Sequence, residues 1–490
     1  MAWAYIGAGL RIVAQFAIQV TLARVLGPVS FGQASTVLVV MGIGWLLADG
    51  GFGSALIQKA DLHEDDIAYA LAWILVSSIL VGAVVFAGAG LLARLLDDPG
   101  LVPLVRVCAV LIPLQAFSNV PASLLRRELD MRRQQLLYVG TYVAGMGAVG
   151  VTLAYNGFGA WALVVGYGVQ LALALVVGCF MKPFALRLRF AHHDRAFRNF
   201  GLSVLGTNIA NWCIENLDRL LIGRFWGIQK LGEYSAAGNL ARAPATVVVG
   251  TLQSVVFSST ARAQDDPDSV RRGFRAILSL LTLISAPFFF FVALQSTFVI
   301  HLLYGDKWSG AATLFAAMCV GIPAYAVLSI AGPMLWGLGA ARAEFSVQLV
   351  IAIATVTGLV LCSRLALDVA VWLIPALAFL RALLVVRALL PRIGLTAGTA
   401  FGSCRGGLAL AIVVLLVSLP MRVQFGQGLC AVLGSAGLTL LACLVVARLT
   451  NGNLLDSELR QSLQERAVNA PWARRACALL GFRAVREARA

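Results

Sequence analysis

Ala23-Arg24-Val25-Leu26-Gly27-Pro28-Val29-Ser30-Phe31-Gly32-Gln33-Ala34-Ser35 returns further down the chain as Gly223-Arg224-Phe225-Trp226-Gly227-Ile228-Gln229-Lys230-Leu231-Gly232-Glu233-Tyr234-Ser235. Arg24, Gly27, Gly32 and Ser35 recur in register as Arg224, Gly227, Gly232 and Ser235. Each copy joins two long apolar segments, the pattern of a helix-turn-helix at a membrane surface. A repeated unit of this size in a membrane chain implies two related halves around a central site, the plan of a transporter.

The surrounding composition agrees. The chain has 490 residues, 60% hydrophobic and 12% charged, with a mean hydropathy of +0.87. A soluble protein carries about 25% charged residues, so most of this surface must face lipid. Apolar stretches of about 18 residues or more are long enough to span the hydrocarbon core. Fourteen are expected, which makes the fold an all-α polytopic membrane protein. Residues 1–181 (helices 1–6) and 200–392 (helices 7–12) form two pseudo-symmetric six-helix lobes joined by a basic cytoplasmic linker, 182–199. Helices 13 and 14 (393–448) stand outside that symmetry, and a basic tail follows (449–490).

Each lobe has an even number of spans, so the halves are related by an axis along the membrane normal. Most of the 38 Lys and Arg fall in alternate loops, including Arg126-Arg127 with Arg132-Arg133 and Arg271-Arg272 with Arg275. By the positive-inside rule both termini are cytoplasmic. The net charge of +15 reflects this asymmetry and gives no reason to expect nucleic acid as a partner. In the tail, Pro471-Trp472-Ala473-Arg474-Arg475 reads either as a surface helix against anionic lipid or as a solubilising extension.

Polar residues inside apolar helices point to the site. Arg11, Gln15 and Gln19 share one face of helix 1, climbing about 6 Å per step. Asn208, Asn211, Glu215 and Asp218 share one face of helix 7. Under the repeat's offset Arg11 aligns with Asn211 and Gln15 with Glu215. Intramembrane ions are costly and functional by default. The reading is therefore a hydrated, partly cationic cavity holding Arg11, Arg242 and Arg381. The alternative is that these cations pair with carboxylates and only lock the fold. Asp49, beside Gly50-Gly51, is a further candidate, either an ion site or the partner of an Arg. Asp49, Glu215 and Asp218 are the ion-coupling candidates.

Enzyme chemistry finds little support. The four histidines lack metal-ligand spacing, no P-loop is present, and no nucleophile–base pair emerges. Nine scattered cysteines form no C-x-x-C pair and read as small core residues. No metal or cofactor is expected.

Three further stretches carry a resemblance: Asp49-Gly50-Gly51-Phe52-Gly53-Ser54-Ala55-Leu56-Ile57-Gln58, Leu124-Leu125-Arg126-Arg127-Glu128-Leu129, and Leu303-Tyr304-Gly305-Asp306-Lys307-Trp308. With the repeated turns and Asn216-Leu217-Asp218-Arg219-Leu220-Leu221-Ile222-Gly223-Arg224, the chain resembles the Wzx-like oligosaccharide flippases. These are polysaccharide transporters of the multidrug/oligosaccharidyl-lipid/polysaccharide exporter superfamily, and the colanic acid and xanthan-type branch is nearest. The resemblance implies translocation of an undecaprenyl-pyrophosphate-linked oligosaccharide across the bacterial inner membrane by alternating access. The implied partners are that lipid-linked oligosaccharide, membrane lipids, and polymerase and chain-length components of the same pathway, with the chain itself a monomer. In this reading Arg11, Arg242 and Arg381 bind the pyrophosphate, and Gln15, Gln19, Asn208 and Asn211 bind sugar hydroxyls. The resemblance also allows helices 13 and 14 to form a lipid-tail groove. The rival readings are a cation-coupled exporter of small amphipathic molecules and a membrane polymerase or glycosyltransferase. The mid-depth arginines argue against the first. The second would require a large outward loop or an acidic metal–nucleotide motif.

Overall fold

The computed structural model describes residues 2–59, 61–185, 187–190, 195–262, 266–426, 428–450 and 454–467. The described residues form helices and turns without a strand. The helices are α1 (Ala2–Leu26), α2 (Pro28–Asp49), α3 (Phe52–Gln58), α4 (Glu64–Leu95), α5 (Leu101–Arg127), α6 (Met131–Tyr155) and α7 (Ala160–Met181). Then come α8 (Arg195–Arg262), α9 (Pro267–Leu294), α10 (Ser296–Tyr304), α11 (Ala311–Gly337) and α12 (Ala341–Leu361). Last are α13 (Leu373–Leu389), α14 (Ala397–Phe425), α15 (Leu429–Leu449) and α16 (Ser457–Ala467). Among the described residues, 11 helical spans are long and apolar enough to cross a membrane. The remaining apolar stretches of the sequence lie in α1 and in the two arms of α8. His192-His193 and the tail from residue 468, with Trp472, lie outside the described residues.

The apolar side chains that a soluble protein would bury point outward here. Phe180 is 83% exposed and Val423 80%. Exposed apolar surface on this scale requires lipid as the solvent.

The chain divides into two compact units, one of Met1–Ala236 with Leu303–Trp308, the other of Ala237–Leu302 with Ser309–Ala490. In the first unit the repeated turn has the same geometry twice. Gly27 (φ 78°, ψ 173°) and Gly227 (φ 84°, ψ 169°) take a backbone conformation that a side chain would strain. Gly27 separates α1 from α2, and Gly227 divides α8 into two arms. The copies cross each other reciprocally. A Cβ on Gly32 would lie 1.9 Å from the Ile228 carbonyl oxygen, and one on Gly232 would lie 1.9 Å from that of Pro28. One turn on, the Ser35 and Ser235 hydroxyls are 2.7 Å apart and buried. Small residues let two backbones meet in lipid, where packing rather than the hydrophobic effect drives association. At the next repeat position the copies differ. Gln33 donates to Asp98 Oδ2 at 2.9 Å, whereas Glu233 accepts from Lys230 at 2.8 Å.

The short segment Leu303–Trp308 locks onto this crossing. The fully buried Trp308 donates from Nε1 to the Ala23 carbonyl at 2.9 Å, and its ring meets Phe31 edge-on at 5.5 Å. Tyr304 donates to the Ala236 carbonyl at 3.3 Å. The indole N–H, the phenol and the carbonyls would each be costly if left unpaired in a membrane core.

The second unit is built around α9, which packs on α11 and α14. Phe274, Leu278, Ile330, Leu335, Val385 and Leu389 form its core. Asp266 caps α9 by accepting from the Ser269 N–H at 3.0 Å, with Pro267 in the first turn. The segment Leu454–Ala467 folds back onto α9 and α14. Its buried Asp456 accepts from Arg275 Nη2 at 2.9 Å and from the Ser403 hydroxyl at 2.6 Å.

Two variants test the crossing. Gly32→Val places three new carbons against the Ile228 carbonyl and is expected to abolish monodisperse protein in detergent, read by fluorescence-detected size exclusion. Ser35→Cys with Ser235→Cys should form a disulfide under mild oxidant, since the hydroxyls already meet. Non-reducing peptide mapping that finds neither thiol bridged would refute the contact.

Candidate functional site

The far end of α2 begins the site. Gly50 (φ 59°) and Gly51 (φ 78°) are both left-handed, so α2 stops at Asp49 and α3 starts at once in a new direction. Asp49, only 7% exposed, turns back onto α3 and accepts from the Gly53 N–H at 3.2 Å. Its other oxygen accepts from Asn119 Nδ2 of α5 at 3.1 Å. Neither partner is a cation, so this carboxylate is held by hydrogen bonds without charge neutralisation. Gly53 keeps the approach open, because a Cβ there would lie 2.7 Å from Asn119 Nδ2.

Asp49 faces a cavity of about 330 Å³ inside the first unit. From α5, Gln115, Ser118 and Asn119 line it; from α6, Tyr138 and Thr141. Tyr167 and Gln170 of α7 and Asn208 of α8 add to the polar wall, with Trp45 of α2, Ser54 of α3, and Ser123 and Arg126 of α5 also in the lining. The Oε1 atoms of Gln115 and Gln170 are buried and have no hydrogen-bond partner among the described residues. A π-helical stretch, Val143–Gly150, brings α6 tightly against α7. A Cβ on Gly145 would lie 2.6 Å from the Gln170 backbone nitrogen, so that packing fixes where Gln170 stands.

Two cations meet at one phenol of this wall. Arg126, exposed at the end of α5, donates from Nη2 to the Tyr138 hydroxyl at 3.3 Å. The Arg11 guanidinium lies 5.8 Å from the centre of the Tyr138 ring, within cation–π range.

The predicted residues are thus distributed unevenly. Asp49 and Asn208 line the cavity, and Arg11 reaches it through Tyr138. Gln15 and Gln19 are half-buried on the same helix as Arg11, and Gln19 Nε2 is buried with no partner among the described residues. Asn211 and Glu215 are exposed and do not line the cavity. Asp218 is occupied structurally: it accepts from the Tyr234 hydroxyl and, at 2.8 Å, from the Arg219 N–H.

In the second unit Arg242 lies 5.8 Å from the Tyr325 ring centre. Arg381 is paired with Glu344, its Nη2 lying 3.2 Å from Oε1. The Glu344 carboxylate also accepts from Gln348 Nε2 at 2.9 Å and Trp336 Nε1 at 3.2 Å. This network joins α11, α12 and α13.

Sequence reasoning missed Glu344 and most of the cavity wall. Gln115/Ser118/Asn119, Tyr138/Thr141 and Tyr167/Gln170 sit three or four residues apart in otherwise apolar helices. That spacing is the same signal that marks helices 1 and 7.

Residues 21–313 match the family described as "Polysaccharide biosynthesis protein". The succinoglycan biosynthesis transport protein ExoT of Rhizobium meliloti is 27% identical over 68% of this chain and 68% of its own length. The lipopolysaccharide biosynthesis protein WzxC of Escherichia coli is 26% identical over 62% of each chain. Teichuronic acid biosynthesis protein TuaB of Bacillus subtilis is 23% identical over 56% of this chain and 57% of its own. Among solved structures, the lipid II flippase MurJ in an inward closed conformation aligns with a TM-score of 0.71 at 11% identity, covering 93% of this chain and all of that one. An inward-facing multidrug resistance MATE family transporter of the MOP superfamily aligns with a TM-score of 0.60 at 17% identity, covering 78% of this chain and 94% of that one. At these identities the two structures establish a shared polytopic helical fold.

Removing one partner of a buried ion pair strands the other. Glu344→Ala is expected to destabilise the protein by about 3 kcal/mol, seen as a lower midpoint of heat-induced aggregation in detergent. Replacing both residues, as in Glu344→Leu with Arg381→Met, should recover the part due to the stranded Arg381 but not the part due to the unmet Trp336 and Gln348 donors. Asp49→Ala leaves the Asn119 amide and the Gly53 N–H unmet and should cost about 1–3 kcal/mol in the same measurement, with Asp49→Asn milder.

Proposed function

The chain belongs to the polysaccharide biosynthesis protein family, and from that premise we propose that it carries a lipid-linked oligosaccharide across the bacterial inner membrane. It acts as a multi-pass transporter, and the cargo is an undecaprenyl-pyrophosphate-linked repeat unit for exopolysaccharide or lipopolysaccharide synthesis. The observation that carries the reading is the polar cavity around Asp49, set within membrane-spanning helices and flanked at Tyr138 by two guanidinium groups. A small amphipathic drug would need no such density of amides and phenols.

The physical task is to move sugars and a multiply charged diphosphate past hydrocarbon. A bare charge at the bilayer centre costs several kcal/mol or more. Arginines offset that cost with charge-assisted, bidentate hydrogen bonds to phosphate oxygens. Arg11 is the first candidate because it is exposed and has the Tyr138 ring as its neighbour. Arg242 and Arg381 are the candidates of the second unit. Arg381 would have to exchange Glu344 for phosphate to take part. Gln15, Gln19, Asn208 and Asn211 supply amides for hydroxyl groups.

The polyprenyl chain needs only an apolar path. In the second unit α9, α11, α13 and α14 enclose a space of about 620 Å³ lined by Phe290, Val327, Phe379, Leu383, Phe401 and Leu408 among others. α14 is helix 13 of the sequence, so one of the two C-terminal helices contributes to that wall. Both termini are cytoplasmic by the charge rule. Alternating access of the two halves moves the cargo. Glu215 is the preferred ion-coupling acid, since it is exposed while hydrogen bonds within the protein engage Asp49 and Asp218. The chain works as a monomer, beside the polymerase and chain-length components of its pathway.

The test is complementation of a deletion strain, scoring secreted polymer and lipid-linked repeat units retained on the cytoplasmic leaflet. The wild-type gene should restore secretion. Arg11→Ala, at normal protein level, should lower it about tenfold or more, equivalent to ~1.4 kcal/mol. Normal polymer in the deletion strain, with new sensitivity to cationic drugs, would move the assignment to multidrug export.

A further inference from the structure

The wall of the Asp49 cavity has an imbalance of hydrogen-bonding groups. Two buried amide oxygens in it go unmet among the described residues, while the exposed Arg126 brings donors to another part of the same lining. A carboxylate has about four lone-pair positions, and Asp49 meets three neutral donors, the Asn119 amide and the Gly53 and Gly51 N–H groups. The Gln115 and Gln170 Oε1 atoms, both buried, meet none among the described residues. Unmet acceptors of this kind are rare in native interiors and call for a physical explanation. Water can satisfy them while the cavity is empty of cargo. Whatever replaces the water must itself bring donors.

That requirement sorts the chemistry of the cargo. A diphosphate carries acceptors and negative charge, so Asp49 repels it and the unmet Oε1 atoms receive no donor from it. A metal cation would need several oxygens turned toward one point, yet Asn119 presents its amide nitrogen to the carboxylate. A sugar residue brings several hydroxyl donors on a compact ring with apolar C–H surfaces, and Trp45, Tyr138 and Tyr167 stand among the lining residues. At about 330 Å³ the cavity falls within the range of small-molecule sites. The cations that suit phosphate, Arg126 and Arg11, converge on Tyr138.

We propose that this cavity is a saccharide subsite, in which Asp49, Gln115 and Gln170 accept hydrogen bonds from the hydroxyls of one sugar residue. The diphosphate is held at the Tyr138 edge of the same cavity, where the exposed Arg126 lines the wall and Arg11 lies against the ring. The proposal rests on the flippase reading above and says which part of the cargo this cavity takes. Asp49 thereby becomes a specificity-determining residue rather than an ion carrier.

Gln115→Leu with Gln170→Leu tests it, because leucine keeps the bulk and removes both acceptors. The full-length protein is purified in nanodiscs, and binding of two lipids from the host strain is read by native mass spectrometry. One lipid is undecaprenyl diphosphate; the other is the same lipid bearing its repeat unit. The double variant is expected to melt at the wild-type temperature or a few degrees higher, since it has lost two orphaned acceptors. It should bind the sugar-bearing lipid at least about tenfold more weakly, bind undecaprenyl diphosphate unchanged, and export poorly. Normal export and normal binding of the sugar-bearing lipid by a variant of raised melting temperature would overturn the proposal. So would an equal loss of both lipids, which would make this the diphosphate site. A sodium-dependent rise in wild-type melting temperature that the variant lacks would make it a cation site, and would overturn the saccharide subsite equally. If the double variant fails to fold, Asp49→Asn, which keeps size and loses charge, is measured against the same two lipids with the same expected contrast. Wild-type protein that binds neither lipid and restores no polymer overturns the flippase reading itself. Wild-type success with an indifferent variant overturns only the subsite.

Discussion

The Ile228 carbonyl oxygen occupies the space where a side chain on Gly32 would begin, and the Pro28 oxygen does the same at Gly232. No residue but glycine can stand at either point without moving a backbone. In lipid, where apolar groups gain nothing by leaving the solvent, such close approach is the main source of helix association. The rest of the first unit follows from it. Ser35 and Ser235 pair because the crossing brings them together, and Trp308 adds a second donor to the Ala23 carbonyl, which also accepts the Gly27 N–H. From the crossing α2 runs 22 residues to Asp49, a rod of about 33 Å. The position of the cavity is therefore fixed from the opposite end of the helix that opens it.

The contrast between Glu344 and Asp49 separates a structural acid from a site. Glu344 has three donors, one of them a cation, and ties three helices together. Its lone pairs are largely used and its charge is balanced, so it asks for nothing more. Asp49 is equally buried but has only neutral donors and an open cavity in front of it. Burial of a charge is expensive in both places. Only at Asp49 is part of that cost left for another molecule to offset.

Much of the fold was legible in the sequence because lipid imposes a simple rule: every span must be long, apolar and helical. The repeated turn was legible too, since Gly27, Gly32 and Ser35 recur in register with Gly227, Gly232 and Ser235, but that the two copies cross each other was not. Of the site, Asp49 stood out beside two glycines and Asn208 as part of a polar stripe. Gln115, Asn119, Tyr138, Tyr167 and Gln170 carry the same helical spacing but are uncharged, and only tertiary packing of α5, α6 and α7 shows that they share one wall. Arg381 shows the opposite failure. A cation in an apolar helix looks the same in sequence whether it waits for a ligand or already holds Glu344, and only the three-dimensional neighbour decides.

Gln33 and Glu233 occupy equivalent places in the repeat, yet one donates to Asp98 and the other accepts from Lys230. Two separate copies of a half-length chain could not do this. In a dimer with an isologous contact every substitution is made twice, and every charge appears on both sides of the axis. A chain that carries both halves on one polypeptide escapes that constraint. It can hold the symmetric contact where backbones touch and break symmetry one residue away. A lopsided cargo, with sugar at one end and phosphate at the other, asks for that freedom.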